Sequence, residues 1–515
     1  MIFSRMLKKA IQQGRSERGP EAYAFRYVEG PRDTRTTRGA FFSSLLVALF
    51  FVSCALGPDY KRPDVPTGDA FRMAEAAKDQ ASIANLPWWE LLRDEELRKL
   101  IHISLEENKD LKGAVAAIEE FQARAFMAKM DFAPQLSNIT STPALGRQAS
   151  FLFPGFPNPF NYYTQGTLSW EIDVWGRIRR SNEAARADLF SKEENRRAVV
   201  LQLVGGVAEA YFDLLQFDMQ LDIARRTLKA WEESVKIAQA RLKQGMTSKL
   251  DADQFEAERA NAAARAAELE RQMVQKENQI SVLLGRNPRR IPRGKSLTEQ
   301  VMPPEVPPGL PSELLQRRPD IVQAERELHA VTARVGVAKA ERFPKISLTG
   351  ILGVSSPQLN KLIGKEEEFA AVGPGFTAPL FNAQILGFQQ RAVEAQTRQA
   401  LAHYEQTILV AFKEVEDALV AVRTAREQRQ AQAQQVAALR SALHLANLRY
   451  KGGLANYLDV LVAQRNLFEA ELALTGSHRL HLVSIVQLYK ALGGGWSPSA
   501  AQTESTTRQA SQENR

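Results

Sequence analysis

The segment RLKQGMTSKLD at residues 241–251 recurs as RYKGGLANYLD at residues 449–459, and this repeated turn decides the fold. In each copy a glycine interrupts a long stretch that is rich in alanine and contains no proline. Such a stretch predicts one long helix before the glycine and a returning helix after it. At 1.5 Å per residue the longer helices would each extend about 100 Å, so they must pack side by side as coiled coils. The predicted hairpins are 177–243 with 250–284, and 384–451 with 457–491.

Two further landmarks recur at nearly the same spacing. Residues 128–134 resemble residues 338–344 at a spacing of 210, and Leu283-Leu284-Gly285 resembles Ala491-Leu492-Gly493 at a spacing of 208. Self-similarity at a fixed period indicates an internal repeat. The chain is therefore predicted to be two copies of one unit of roughly 200 residues.

Each copy is predicted to carry two strands between a first helix and its long hairpin. The first helices, over 94–130 and 312–341, stop before Pro134 and Pro344, because proline cannot continue a helix. Polar and apolar residues then alternate with the period of a half-buried strand. The predicted strands cover 135–145, 162–174, 345–354 and 368–380.

Four strands cannot close a barrel by themselves. Unpaired strand edges aggregate, and an unpaired backbone is not tolerated within a bilayer. Closure therefore requires several chains, and three chains would supply twelve strands, an even number within the range known for outer-membrane barrels. Aromatic residues between 151 and 163 suit a membrane–water interface. The alternative is a soluble α+β domain with a small sheet.

The only cysteine, Cys54, ends an apolar run that follows Arg32, Arg35 and Arg38. A basic region, an apolar stretch of about 13 residues and small residues at its end indicate a secretory signal peptide. The run is too short to span a bilayer comfortably. Its ending, FVSC at 51–54, resembles a bacterial lipobox, in which the cysteine thiol is acylated. We therefore predict lipid attachment at Cys54; the alternative is a free or buried thiol after a cleaved signal.

The predicted organisation has six parts. They are an N-terminal extension and signal peptide (1–53), a lipid-anchored connector (54–93), a first repeat (94–285), a proline-rich connector (286–311), a second repeat (312–495) and a polar tail (496–515). The fold class is mainly α with membrane β: long helical hairpins forming an α-barrel, plus four strands per chain of a trimeric, twelve-stranded barrel.

Composition and motifs argue against an enzyme and against a nucleic-acid-binding protein. Much of the net charge of +8 comes from basic residues before position 40, and later charges of both signs alternate. The sequence contains no GxSxG, Walker or HExxH pattern. His478 and His481 share a helical face, but two imidazoles are too few ligands for a zinc site. We therefore expect no catalytic residue, no metal and no cofactor apart from the lipid on Cys54.

Several ordered motifs resemble the TolC family of outer-membrane efflux factors, specifically the lipoprotein branch associated with RND-type pumps. These motifs are CALGPDY at 54–60, WEIDVWGR at 170–177, RPDI at 318–321 and YKALGGGW at 489–496. The resemblance, over residues 54–496, implies a homotrimer with a twelve-stranded outer-membrane barrel continuous with a twelve-helix periplasmic tunnel. The connectors would build an equatorial belt. The partners would be a periplasmic adaptor and an inner-membrane RND-type pump.

The function implied by the resemblance is a passive exit duct of a tripartite efflux system, which conducts drugs or other small molecules. The protein would be lipid-anchored in the outer membrane and would have a long periplasmic portion. The alternatives are the outer-membrane component of a protein-secretion exporter, and a periplasmic coiled-coil lipoprotein without a pore.

The resemblance also implies an aperture at the hairpin turns. Asp459 matches an aperture aspartate, Asn456 and Leu458 match constriction positions, and Arg465 matches a basic residue that ties neighbouring helices together. Asp251 and Asp253 are the first-copy counterparts. In a trimer a repeated carboxylate would repel its copies and attract cations. The alternative is helix capping, because an aspartate in the first turn favours the helix dipole, and capping leads for Asp251 and Asp253.

Overall fold

A computed structural model of the chain describes residues 55–66, 71, 85, 87–141, 162–301, 311–356, 358–362, 368–452, 454 and 457–494. The predicted signal peptide, Cys54, Asn456 and the predicted tail lie outside the described residues.

The described elements follow the repeated plan. In chain order they are α1 (Trp88–Leu91), α2 (Glu95–Glu107), α3 (Lys109–Met130), β1 (Gln135–Ser141), β2 (Tyr162–Ile172), α4 (Arg177–Lys243), α5 (Lys249–Leu283), α6 (Pro311–Arg317), α7 (Pro319–Ala340), β3 (Lys345–Ser356), β4 (Glu368–Thr377), α8 (Ala383–Lys451) and α9 (Tyr457–Ala491). Two short 3₁₀ helices, Leu297–Glu299 and Leu359–Lys361, lie in the connections.

The first helix of each repeat is broken, which corrects the single helices predicted over 94–130 and 312–341. In the first repeat Asn108 has an extended backbone; its side chain accepts from Leu111 N at 2.9 Å and donates to the Leu283 carbonyl oxygen at 2.9 Å. In the second repeat the break is at Arg318, because Pro319 disfavours a helical conformation in the residue before it. Asp94 caps α2 and is not part of it.

The four strands form one antiparallel sheet in the order β1-β2-β3-β4. The two repeats share this sheet, since β2 of the first pairs with β3 of the second, from Tyr162 with Ser356 to Ile172 with Ile346. Within the described residues, β1 and β4 each pair on one side only. The sheet formed by the described strands therefore has two open edges.

The predicted strand ends need correction. The described part of β1 ends at Ser141, and β2 ends at Ile172 because Asp173 turns to cap α4, accepting from Ile178 N at 3.0 Å and Arg179 N at 2.9 Å. The strand β3 continues to Ser356, two residues beyond the prediction. The strand β4 ends at Thr377, three residues before the predicted end at 380.

The hairpins pack around a core that lies near the middle of α4 and α8 and at the ends of α5 and α9. The largest fully buried side chains there include Leu97, Tyr211, Leu214, Ile280 and Leu284. Burying each leucine or isoleucine contributes about 1.5–3 kcal/mol. An 18-residue window of α4 has a mean hydropathy of 1.5, apolar enough to cross a membrane, and 56% of it is buried inside the protein. This burial is typical of a core helix.

The proline-rich connector is fixed to the core by one buried carboxylate. Asp94 accepts from Tyr211 Oη at 3.3 Å, Lys295 N at 3.1 Å and Gln300 Nε2 at 2.7 Å. Because a buried carboxylate needs several donors, these bonds hold the connector against α2 and α4. These hydrogen bonds therefore fix the connector against the core of the two hairpins.

Candidate aperture at the hairpin turns

The first turn, between α4 and α5, is built by backbone and capping bonds. Gly245 has a φ of +70°, the left-handed conformation common after a helix, and Met246 N donates to the Arg241 carbonyl oxygen at 2.9 Å. Ser248 and Asp251 then form a capping box, in which each side chain accepts from the other residue's backbone N–H. The turn thus reverses the chain within a few residues.

Asp251 acts locally in this turn. Its Oδ2 accepts from Thr247 Oγ1 at 2.8 Å and from Ser248 N at 3.2 Å. The hydrogen bonds from Thr247 and Ser248 hold the pKa of the Asp251 carboxyl below its usual value. Asp253 is exposed and has no hydrogen bond or ion pair to any described residue. The geometry of Asp251 is that of a helix cap.

The second turn, between α8 and α9, places Asp459 on an open face. Leu454 N donates to the Arg449 carbonyl oxygen at 2.9 Å, and α9 starts at Tyr457. Val460 and Leu461 are buried, while Leu458 is 50% exposed and Asp459 is exposed. Asp459 lies two residues from Tyr457, which places it about 200° around the helix axis from the packed face. No described residue binds its carboxylate.

Leu458 and Arg465 lie on the same face of α9, but Arg465 does not lie close to Asp459. Leu458, Val462 and Arg465 follow one another at helical spacing and are all exposed. Asp459 and Arg465 are six residues apart, about 240° around the axis, so they cannot pair within one chain. Within the described part of the chain, Arg465 has no ion-pair partner. Leu458, Asp459 and Arg465 are therefore all exposed on α9, and no salt bridge joins Asp459 to Arg465.

Aromatic residues join the second turn to the first hairpin. The ring of Tyr457 lies 4.1 Å from that of Phe255 on α5 and 4.9 Å from that of Tyr450 on α8, centroid to centroid. Phe255 in turn lies 6.2 Å from Trp231 on α4. Burial raises the pKa of Tyr457 to about 12, so its hydroxyl stays neutral at physiological pH. These pairs place the start of α9 against the first hairpin.

A cation strengthens the same junction. The Arg241 guanidinium at the end of α4 lies 5.2 Å from the Tyr450 ring centroid, and its Nη1 donates to Tyr450 Oη. A guanidinium over an aromatic face is attracted by the ring quadrupole. We call Arg241, Phe255, Tyr450 and Tyr457 the hairpin latch. It connects α4 and α5 to α8 and α9 beside the exposed Leu458 and Asp459.

Sequence reasoning missed the hairpin latch. Tyr450 and Tyr457 occupy the positions of Leu242 and Lys249 in the first copy. This difference between the two copies was the sequence signal that could have indicated the hairpin latch. Both long helices also end in basic residues, Arg241 with Lys243 and Arg449 with Lys451, which suit a helix C-terminus. No group of three metal-ligating side chains occurs among the described residues.

The described start of the chain lies at the sheet. Leu56 N donates to the Trp175 carbonyl oxygen at 3.0 Å, just after β2. Asp59 accepts from Arg180 Nη2 at 2.5 Å, and this guanidinium lowers the pKa of the Asp59 carboxyl. Tyr60 stacks on His329 with centroids 4.5 Å apart. We call residues 55–60 the strap. It fixes the position next to Cys54 beside the junction of sheet and helices.

Comparison with known proteins agrees with this architecture. A sequence profile described as "Outer membrane efflux protein" matches residues 100–286 and 310–494. The probable efflux pump outer membrane protein TtgC of Pseudomonas putida is 35% identical over 480 residues, which cover 91% of this chain and 98% of TtgC. The probable outer membrane lipoprotein SilC of Salmonella typhimurium is 32% identical over 448 residues, which cover 86% of this chain and 95% of SilC.

A solved structure has the same fold. The open state of the MtrE outer membrane channel of Neisseria gonorrhoeae matches with a TM-score of 0.76 at 30% identity, covering 86% of this chain and 98% of that one.

Proposed function

We propose that this chain, which belongs to the family of outer membrane efflux proteins and is an outer-membrane efflux channel, assembles as a homotrimer and forms the exit duct of a tripartite system. The observation that carries the trimer is the four-stranded sheet with two open edges. Open edges are not tolerated in a bilayer, and three sheets joined edge to edge close a barrel of twelve strands. The strand directions alternate along the sheet, so β4 of one copy meets β1 of the next in antiparallel orientation.

The duct has no chemistry of its own in this proposal. The family consists of channels, and substrates pass along the lumen by diffusion while an inner-membrane RND-type pump supplies the energy. The role of the chain is to provide a continuous passage and to hold it closed when no pump is engaged.

The closed state is proposed to depend on the face of α9 that carries Leu458 and Asp459. Three copies of Asp459 around one axis would form a ring of carboxylates, which attracts cations and repels its own members. Three copies of Leu458 would narrow the passage at the same level with apolar side chains. Asn456 precedes them, and Arg465 is placed to pair with a neighbouring copy. Asp251 and Asp253 shape the first turn.

The hairpin latch is proposed to hold this aperture closed. It joins the second hairpin, which carries Leu458 and Asp459, to the first hairpin through Arg241–Tyr450 and Phe255–Tyr457. Aromatic pairs contribute about 0.5–1.5 kcal/mol each, and an exposed cation–π contact about 0.5–1 kcal/mol. Contacts of this size can be broken by a docking partner.

A periplasmic adaptor is proposed to dock at the turns. Met246 and Leu454, one at each turn, are 72% and 76% exposed, and Leu250 is also exposed. Lys243, Arg449 and Lys451 are exposed in the last turns of the helices that precede these residues. Exposed apolar side chains with a charged rim are typical of a protein-binding site. An adaptor that covers these tips would compete with the hairpin latch for the second hairpin.

A lipid on Cys54 is proposed to anchor the chain in the outer membrane. The strap supports this proposal, because it fixes residue 55 beside the end of β2. Residue 55 directly follows Cys54 in the sequence.

The trimer is tested by native mass spectrometry of the full chain extracted from outer membranes in mild detergent. We expect a single species containing three chains, each with the mass of one diacyl or triacyl modification at Cys54. A species with one chain would contradict the exit duct.

A further inference from the structure

The start of the proline-rich connector is strongly basic. Residues 286–298 contain four arginines and one lysine, and no aspartate or glutamate. The helices α5 and α9 both end at a glycine with positive φ, Gly285 at +70° and Gly493 at +68°. Gly285 is followed by RNPRRIPRGK, whereas Gly493 is followed by GGWSPSAAQT, which has no charged residue. The basic residues are therefore not needed to end a helix.

Two of the connector arginines have a structural role. Arg286 binds the carboxylate of Glu107 at the end of α2, with Nε donating to Oε2 at 2.6 Å. Arg293 donates to the carboxylate of Asp218 on α4 at 2.8 and 3.0 Å, and it also forms an ion pair with Glu277 on α5. These charges are neutralised within the chain, and the ion pairs hold the connector against three helices.

The backbone between these two ion pairs is also fixed. Arg289 N donates to Ser281 Oγ at 3.2 Å, and Ile291 N donates to Glu277 Oε1 at 3.3 Å. The Ile291 side chain is fully buried in the core. Arg290 lies between these two anchored residues. The connector therefore presents the side chains of Arg289 and Arg290 from a backbone that is already ordered, which lowers the entropy cost of binding a partner.

Exposed cations surround the ion pair of Arg286 with Glu107. The hydrogen bond from Arg286 holds the pKa of the Glu107 carboxyl below its usual value, and Lys112 and Arg289 act in the same direction, so both lie near this carboxylate. We call the exposed cations here the connector surface: Lys109, Lys112, Arg289 and Arg290. None of these four side chains has a hydrogen bond or ion pair to a described residue. They outnumber the two other exposed carboxylates at this place, Glu106 and Asp110.

The connector surface lies far from the sheet. Arg293 fixes the connector to Asp218, which is about 60 Å along α4 from Arg177, the first residue of that helix. Charges in water at physiological ionic strength interact over about 8 Å. When the sheet crosses the outer membrane as proposed, lipid headgroups are out of reach of the connector surface. The anion that this surface fits therefore lies in the periplasm.

We propose that the connector surface binds the cell-wall polymer of the periplasm, a network of glycan strands joined by peptides that carry free carboxylates. In a trimer three copies of the surface lie at one depth around the channel, so they fit a layered network through which the channel passes. Each contact between exposed charges is weak, and three copies acting together raise the overall affinity. This inference goes beyond the exit duct, because it gives the channel an attachment to the wall.

The connector surface is tested by sedimenting the full protein, in mild detergent, with purified peptidoglycan sacculi. Arg289→Gln with Arg290→Gln is expected to weaken binding about 10-fold, because two cations are lost from each of three copies. The remaining binding should also depend less on salt concentration. Sacculi are too large to enter a channel, so sedimentation reports on a surface that faces outward.

The matched control is Arg225→Gln with Arg226→Gln. These two arginines are also adjacent and exposed, but each pairs with an acidic residue of its own chain, Glu270 or Asp222. This variant loses the same charge and should bind sacculi as the unsubstituted protein does. Sacculi whose carboxylates have been amidated should bind the unsubstituted protein about as weakly as untreated sacculi bind the Arg289→Gln, Arg290→Gln variant.

Equal binding of sacculi by the connector variant and the control variant would contradict the inference. Vesicles of phosphatidylglycerol distinguish the other source of anions: if the connector variant loses binding to these vesicles and keeps its binding to sacculi, the surface recognises lipid headgroups and the inference is wrong. Native mass keeps this result separate from the proposed trimer. A species of three chains that does not bind sacculi contradicts the connector surface only, and a single chain that binds sacculi contradicts the trimer only.

Discussion

The Tyr457 ring packs against Phe255 with centroids 4.1 Å apart, and this contact joins the first turn of α9 to the opposite hairpin. Leu458 and Asp459 follow Tyr457 directly, so the exposed face of α9 is held in place by a half-buried neighbour. Any movement of α9 that widens the aperture must either break the contact between Tyr457 and Phe255 or move Phe255 together with α9. The hairpin latch and the aperture are therefore expected to act together.

The aperture residues are tested directly by Leu458→Ala combined with Asp459→Ala. Removing three apolar side chains and three carboxylates should raise the single-channel conductance and reduce the preference for cations, because the ring that attracts them is gone. Planar bilayer recordings with asymmetric salt measure both. Leu409→Ala with Asp417→Ala, also exposed but far from the turns, is the control and should leave conductance unchanged. Equal conductance in the aperture variant and the unsubstituted protein would contradict the assignment of Leu458 and Asp459 to the aperture.

The hairpin latch is tested by two substitutions of Tyr450. Tyr450→Phe keeps the ring under Arg241 and removes only the hydroxyl, whereas Tyr450→Ala removes the ring and its contact with Tyr457. Losing about 1–2 kcal/mol from the closed state should increase the open population roughly 5- to 30-fold for Tyr450→Ala, and less for Tyr450→Phe. The measurement is the fraction of time that single channels spend in the larger conductance state. Equal effects of the two variants would contradict the role of the ring.

The first turn should weaken only at acidic pH. The pKa of Asp251 is held below its usual value of 3.8 by hydrogen bonds from Thr247 and Ser248. A carboxyl with a depressed folded pKa stabilises the fold fully above its unfolded pKa, and this contribution is lost as pH falls through the folded pKa. Hydrogen exchange of the Ser248 amide, corrected for intrinsic rates, should therefore keep its protection from neutral pH down to about pH 4 and lose it below.

Asp251→Asn is the control for this pH dependence. It keeps an oxygen acceptor but cannot titrate, so protection should be lower at neutral pH and independent of acidification. Loss of protection already near neutral pH in the unsubstituted protein would show that the carboxyl is not stabilised in its charged form.

The strap is tested by adding one methyl group. Gly336→Ala places a Cβ within 2.6 Å of the Leu56 carbonyl oxygen, so the strap must move away from α7. Trypsin should then cleave faster after Lys61. Gly113→Ala is the control, because its Cβ meets nothing within 4 Å and alanine favours a helix by about 0.5–1 kcal/mol. Unchanged cleavage in Gly336→Ala would mean that the strap does not rest on α7.

The long helices were predictable from sequence because proline-free, periodic stretches leave few alternatives. The breaks at Asn108 and Arg318 were not predicted, since asparagine is tolerated within helices and the pre-proline effect is a bias. The end of β2 depended on Asp173, whose side chain accepts hydrogen bonds from the start of the following helix. Hydrogen bonds and backbone restrictions at single residues set these boundaries, and hydrophobic periodicity could not predict them to the residue.

The candidate site was only partly predictable. The aperture roles of Leu458 and Asp459 were implied by the family resemblance, and the structure finds both residues exposed at the start of α9. Arg241 and Tyr450 are 209 residues apart, so their contact follows from the packing of two hairpins and not from any local pattern. Residues that join distant elements need the fold before they can be recognised.

The central claim is that this chain forms a gated conducting duct. The most direct measurement is single-channel recording of the protein purified from outer membranes and inserted into planar bilayers. We expect discrete, uniform conductance steps whose size increases in the Leu458→Ala, Asp459→Ala variant. Bilayers that contain the assembled trimer and show no conductance steps, in either form of the protein, would contradict it.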